Sequence, residues 1–392
     1  MILSKKIKVC VIINSRANYG RIHSFLDAAK KNNKIDLKII LGSSAVLQKY
    51  GDISSILKKD GFKIFKKIYN IVETDKPSGM AKSTALLIVE LTSIFEDLNP
   101  NYVVSIADRY ENLAQAIAAS YLNIPVVHTQ GGELTGSIDE SVRHSITKLA
   151  HIHFPSTLKA KKNLLQLGED PSKVFMVGCP SLDFIDKIDK KLTKNFFKKN
   201  LGLGSHIDQN KPYLTIVQHP VTTEYGLGLK QIMNTLNAVC SLDIQKIWLW
   251  PNIDAGSDQI SKFLRTFKDK GKSNFTKVRF YKNFSDKDYI RLLHNTSCLV
   301  GNSSSAIREG SYLGVPSVNI GTRQNLRERG QNVIDVNYDK NEILYAIKKH
   351  LKRNKRYNKS LLYGKGNAGA LMNKILTKVS VNVQKKFYKK KN

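Results

Sequence analysis

"YVVSIADRYENLAQAIAASYLNIPVVHTQGGE", residues 102–133, decides the fold. An apolar run is followed by a helical pattern from Arg109 to Asn123, then by a second apolar run ending near Thr129. Apolar residues at helical spacing between two short apolar runs read as strand, helix, strand. No hairpin turn separates the strands, so the unit is a parallel crossover. In such sheets ligands bind at the carboxyl ends of the strands. The polar residues of "ADRYE" and "TQGGE" stand at two such ends.

The same alternation extends in both directions. Upstream, "IKVCVII" and "IDLKIILG" read as strands, and "GRIHSFLDAAKK" and "GMAKSTALLIVELTSIFEDLNP" as helices. Downstream, "YLTIVQHP", "KIWLWPN", "VRFYKNF", "CLVGNS" and "PSVNIG" read as strand ends with helices between them. The Lys-rich stretch from about Lys187 to Asn210 contains no strong strand and marks a domain boundary. The expected fold class is α/β, with two Rossmann-like domains facing each other across a cleft. The N-terminal domain is expected over 1–186, joined by a C-terminal helix at 367–380. The C-terminal domain is expected over 187–366, followed by a basic tail, 381–392.

The chain's 392 residues exceed one typical core, in agreement with two domains. No run of eighteen apolar residues occurs, so no membrane span is expected. "MILSKKIKVCVIIN" lacks a small-residue cleavage site and reads as a first strand rather than a signal peptide. The four cysteines are scattered without metal-ligand spacing, which points to a reducing cytoplasm. The formal charge of +31 attracts anions of any kind. Its lysines are dispersed through helices and concentrated in the tail, and no nucleic-acid-binding signature accompanies them. Specific nucleic-acid recognition and membrane binding are therefore not expected.

Polar clusters at successive strand ends mark a shared cleft. "GNSSSAIREG", residues 301–310, is a small-residue turn opening a helical pattern, which suits a phosphate or plain N-capping. It offers Ser303 and Ser304 as donors and Glu309 as an acceptor for a ribose diol. Arg16 in "INSRANYG" can meet a diphosphate or solvent, and Arg323 in "GTRQNLRERG" lies in a turn. Arg327, Glu328 and Arg329 fit charge pairing within one helix. Asp108 in "ADRYE" can cap a helix or face the cleft as an acid or base. Arg109 and Glu111 beside it fit a surface.

His219 follows a strand directly, and Asn252 and Asp254 in "WPNIDAGS" suit a sugar pocket or an Asx turn. "DESVRHSITKLAHIHF" begins like a helix, with Arg143 four residues after Asp139 and His144 four after Glu140. His151 and His153 fit structural roles; no third ligand supports a metal, and none is expected.

Nine segments together resemble the hydrolysing UDP-N-acetylglucosamine 2-epimerases, a group that includes the bacterial enzymes of sialic-acid-type sugar synthesis. They are "SRANYG", "DRYE", "GGELTGSIDESVRHSITKLAHIHF", "VGCPSLD", "QHPVTT", "PNIDAGS", "GNSSSAIRE", "GTRQNLRERGQNV" and "YGKGNA", in order from residue 15 to 368. The resemblance implies a GT-B-like fold whose C-terminal helix crosses back onto the first domain. It implies elimination of UDP from UDP-GlcNAc to a glycal, then hydration to ManNAc, with no cofactor. UDP- or GDP-N,N'-diacetylbacillosamine, of the legionaminic acid route, is the alternative substrate, and a GT-B glycosyltransferase a more distant alternative. A homodimer or homotetramer is left open.

By matching positions, Asp108 and Asp139 fall on catalytic carboxylates. Arg16, His219, Ser303, Ser304, Glu309 and Arg323 fall on nucleotide-contacting positions. Arg109, Arg143 and His144 fall on polar positions of the active site. One departure stands out. Many hydrolysing members read "HIEGGE", whereas this chain reads "HTQGGE", so an expected catalytic glutamate is Gln130. Glu133 or Asp139 then covers its proton transfer, or Gln130 positions water or an N-acetyl group.

Overall fold

A computed structural model describes residues 6–269 and 277–389; the first five residues, 270–276 and the last three of the basic tail lie outside the described residues. The alternating pattern produces two sheets. The first contains β1 (Ile7–Ile13), β2 (Ile35–Leu41), β3 (Ile64–Lys67), β4 (Tyr102–Ile106), β5 (Val126–Thr129) and β6 (Ile152–Phe154). Its order is β3-β2-β1-β4-β5-β6, with every pairing parallel.

The second contains β7 (Gly202–Gly204), β8 (Tyr213–Val217), β9 (Gln245–Leu249), β10 (Val278–Tyr281), β11 (Cys298–Gly301), β12 (Ser317–Ile320) and β13 (Val333–Val336). Its order is β13-β12-β11-β8-β9-β10-β7, parallel except for β7 against β10.

Helices cover both faces of each sheet, which is why the central strands read as continuous apolar runs rather than alternating ones. In β1, Val9, Val11 and Ile13 enter a core with Phe25, Leu26 and Met372. Cys10 and Ile12 enter another with Leu87, Leu91 and Ala118. Full burial of each such large aliphatic side chain contributes about 1.5–3 kcal/mol. Strand order reverses between β1 and β4, and again between β8 and β11. The loops that follow these four strands carry Arg16, Asp108, His219 and Ser303, so topology delivers the four residues to one cleft.

The chain returns to the first domain at its end. Helix Ala368–Leu376 packs on helix Arg16–Lys30 and places Ala368, Met372 and Leu376 in the first core. Asp183 accepts hydrogen bonds from the N–H groups of Ala368 (3.0 Å) and Gly369 (2.8 Å), closing the helix start. A Cβ at Gly369 would lie 2.4 Å from the backbone of Ser24 and Phe25, so only glycine permits this approach. The domains meet at a cap as well. Asp75 Oδ1 accepts from Gly256 N (2.9 Å) and Asp258 N (3.1 Å), at the start of helix Ser257–Asp269 in the other domain.

Four strands escape the sequence pattern, the short β6 among them. β3 carries two lysines, β13 is a half-exposed edge, and β7 is Gly-Leu-Gly, a strand made by pairing with β10 rather than by its own residues. His151 and His153 are structural. His153 is buried against Glu169 (2.9 Å), and His151 bridges Val126 N and Val383 O. Among the described residues no group of three His, Cys, Asp or Glu is placed to hold a metal, and no helix is long and apolar enough to cross a membrane.

Candidate active site

The cleft is built on carboxylates held by arginines from both domains. Asp108 follows β4 but does not cap the helix after it; Arg109 occupies that position, without a side-chain cap. Its carboxylate instead accepts from Arg143 and lies 3.5 Å from Arg327 and 3.8 Å from Arg21. Burial alone would raise the Asp108 carboxyl, but Arg143, Arg21 and Arg327 hold it well below the usual carboxylate range. Asp108 is therefore a fixed anion and a poor proton acceptor.

Glu133, in the loop after β5, points the same way. It pairs with Arg308 (2.5 Å) and Arg327 (3.2 Å), both reaching over from the second domain. Burial pushes its carboxyl up, and Arg308, Arg327 and Arg143 more than reverse that. Arg327 and Arg308 are nine-tenths or more buried. The expected intrahelical pairing of Arg327 with Glu328 is absent, because residues 321–330 form turns rather than a helix. Glu328 instead accepts from Thr157 of the first domain.

Asp139 is the exception. It opens helix Asp139–Leu149, yet Arg143, one turn later, turns away from it to Asp108 and to Glu133 O (2.7 Å). The Asp139 side chain has no hydrogen bond or ion pair among the described residues. Burial and the neighbouring charges of Asp108 and Asp254 raise its carboxyl to about 6, against the pull of Arg323 and Arg109. A half-buried, unpaired carboxylate with a raised pKa beside two buried, paired ones is the arrangement that separates an acid–base group from its scaffold.

The second domain supplies the facing wall. Asn302 accepts from His219 N and donates to His219 O, both at 2.8 Å, welding the loops after β8 and β11. Arg323 and Gln324 donate to Asn302 O. Asn252 N donates to His219 Nδ1 (3.2 Å), so the proton of the neutral ring sits on Nε2. Burial and Arg323 push the His219 imidazole down to about 3, so it remains neutral. Asp254 bonds Arg109 (2.8 Å) and Asn252 (2.5 Å) and lies 3.9 Å from Arg323. Arg109 also pairs with fully buried Glu111 (3.1 Å), so neither is the surface residue that "ADRYE" allows.

Ser303 receives Ser305 N in a short turn, Ser304 accepts from Arg21 (2.9 Å), and Ser181 donates to Glu309 (2.5 Å). Glu309 itself begins the short helix Glu309–Leu313, not a turn inside one. Burial pulls the Arg16 guanidinium below its ordinary value, against the opposing charge of Asp286. His144 stays outside this set, half-buried beside Glu140 at 3.8 Å. Arg21 and Arg308 join the site without any signal in the sequence. Each lies inside a helical or turn pattern, and only the fold turns them inward.

Gln130 is 1% exposed, holds a left-handed backbone (φ 60°), and leaves both side-chain polar atoms without a partner. Two residues on, Gly132 (φ 79°) lies where a Cβ would meet Ala160 O at 2.2 Å. An unmade buried hydrogen bond costs about 1–3 kcal/mol, so an orphan amide held in a strained turn is poised for a ligand. Beyond Tyr110 and Asp254 lies a cavity of about 160 Å³, walled by Ile71, Val72 and Met80 on one part and by Lys49, Glu73 and Asp75 on another.

Comparison with known proteins gives a consistent picture. The UDP-N-acetylglucosamine 2-epimerase family model matches residues 27–377. The hydrolysing UDP-N,N'-diacetylbacillosamine 2-epimerase of Legionella pneumophila is 34% identical over 96% of this chain and 97% of its own. The hydrolysing GDP/UDP-N,N'-diacetylbacillosamine 2-epimerase of Campylobacter jejuni is 33% identical over 85% of both chains. In fold, the Methanocaldococcus jannaschii UDP-GlcNAc 2-epimerase, solved with UDP-GlcNAc and UDP, superposes with a TM-score of 0.78 at 22% identity, covering 95% of this chain and 99% of that one. The shared architecture is GT-B-like.

Proposed function

The chain belongs to the UDP-N-acetylglucosamine 2-epimerase family and is a hydrolysing nucleotide-sugar 2-epimerase; from that premise we propose that Asp139 removes the C2 proton of a UDP-linked 2-acetamido sugar. The observation that carries this reading is the contrast between Asp139, unpaired with a raised pKa, and the arginine-bound Asp108 and Glu133. The C2–H electrons form the C1=C2 double bond as the C1–O bond to the diphosphate breaks. Arg16, Ser303, Ser304 and the Nε2–H of His219 stabilise the departing charge. A proton then returns to C2 on the opposite face and water adds to C1. The products are UDP and the free manno sugar.

Gln130 takes the 2-acetamido group, its amide matching both the donor and the acceptor of that group. We favour UDP-N,N'-diacetylbacillosamine over UDP-GlcNAc as the substrate. The names of two relatives and the cavity beyond Asp254, which offers both apolar walls and polar groups to a second acetamido group, support that choice. We place the enzyme in the cytoplasm, in keeping with four free cysteines.

Incubation with each UDP-sugar in D2O, followed by NMR, tests the reading. Release of a manno sugar carrying deuterium at C2 is expected, with higher kcat/KM for the diacetamido substrate. Retention of the original C2 hydrogen overturns the elimination, and a preference for UDP-GlcNAc overturns the substrate choice alone. The pH profile follows from the base. Asp139 must be ionised, so kcat/KM, which reports the free enzyme, falls as pH drops through about 6 and levels off above it. A flat profile between pH 5 and 7 removes Asp139 from that step.

A further inference from the structure

Residues 381–388 of the basic tail are docked rather than free. Val379 and Val381 pack on the first core. Beyond them, Lys173 donates to Ser380 O (2.7 Å), and Tyr388 N donates to Gly168 O (2.9 Å). Phe387 covers Gly168 so closely that a Cβ there would lie 2.3 Å from its ring. Lys148 Nζ stands 5.2 Å from the centre of the same ring.

Two contacts reach the elements that build the active site. Lys385 Nζ donates to Thr147 O and Ala150 O, both at 2.7 Å, at the C-terminal end of helix Asp139–Leu149. It also pairs with buried Glu169 (2.5 Å), which Lys148 and His153 bind as well. A cation on the last carbonyls of a helix satisfies groups left without intrahelical partners and complements the dipole. His151 accepts from Val126 N at the start of β5 and so donates through Nε2 to Val383 O (3.0 Å). The tail thus grips the rear ends of the helix and the strand whose front ends present Asp139 and Gln130.

We propose that Ser380–Tyr388 is a strap that fixes the catalytic helix along its axis, with Lys385 a positioning residue for Asp139. The proposal rests on Asp139 as the base. A misplacement of ~1 Å far from the chemistry can cost on the order of 10²-fold in rate. Glu169 keeps Lys148 and His153 when Lys385 is changed, so its charge stays matched.

Lys385→Met and Lys385→Gln test the strap, with Lys385→Arg as the conservative variant and exposed Lys386→Met as the control. Rates are expressed per UDP-binding site, counted by calorimetry, so that misfolded protein does not enter. We expect kcat to fall at least about tenfold in Lys385→Met and Lys385→Gln. KM and UDP affinity should stay within about twofold, Lys385→Arg should recover most of the rate, and the acid limb of the pH profile should move. Wild-type kcat per site in both Lys385→Met and Lys385→Gln, or an equal loss in Lys386→Met, overturns the strap. A wild-type protein without turnover on either UDP-sugar overturns the underlying reading of Asp139 instead.

Discussion

Asp139→Asn should lose on the order of 10²–10⁴-fold in kcat, the usual contribution of a positioned acid–base group. UDP affinity should be preserved, because no nucleotide-side group contacts this carboxylate among the described residues. The same change should stabilise the fold at pH 7. The Asp139 carboxyl is raised to about 6 in the folded protein by burial, Asp108 and Asp254. Its ionisation therefore costs the folded state above that pH, where the unfolded chain ionises freely. Asparagine removes this cost. The advantage of the variant is full above about pH 6 and shrinks as pH falls toward the unfolded carboxylate value of about 4. Steady-state kinetics with thermal melts at pH 4 and pH 7 check both halves. A variant of wild-type rate, or one less stable at pH 7, contradicts the assignment.

Glu133→Gln is expected to destabilise the protein by about 3–5 kcal/mol, the cost of breaking a buried ion pair by removing one partner. Glutamine has nearly the same shape, so packing is kept and charge alone is lost. Arg308 and Arg327 are then left buried with like charges facing each other, and Arg308 already has two nitrogens without a partner. Both arginines come from the second domain, so the loss falls on the closed cleft and should also separate the unfolding of the two domains. Urea titration followed by the fluorescence of Trp248 and Trp250 in the second domain, and by an independent probe of the first, reads both effects. An unchanged midpoint would show that the triad contributes nothing.

Much of the architecture was legible because buried parallel strands announce themselves. β1, β4 and β8 are near-continuous apolar runs, and the polar clusters that follow them are where the cleft forms. β7 and β13 were not legible, since their strand character comes from a neighbour's hydrogen bonds. Within the site, Asp108, Asp139, His219 and Asp254 stand immediately beyond apolar runs or at a helix start, and position singled them out. Arg143 was visible, but its partner was not. Helical spacing suggested Asp139, whereas the guanidinium lies buried against Asp108, 35 residues away. Arg21, Arg308 and Arg327 carry no local signal. Their role depends on which way a turn or helix face points after the two domains have closed.

The cap that Asp75 places on helix Ser257–Asp269 gives domain opening a folding component. Separation of the domains would strip the first backbone N–H groups of that helix of their acceptor. Water can replace Asp75 there only by solvating a helix end that the closed form keeps matched to a carboxylate. Hydrogen exchange at Gly256 and Asp258 would therefore report how firmly the two domains are held together, read out at one helix end.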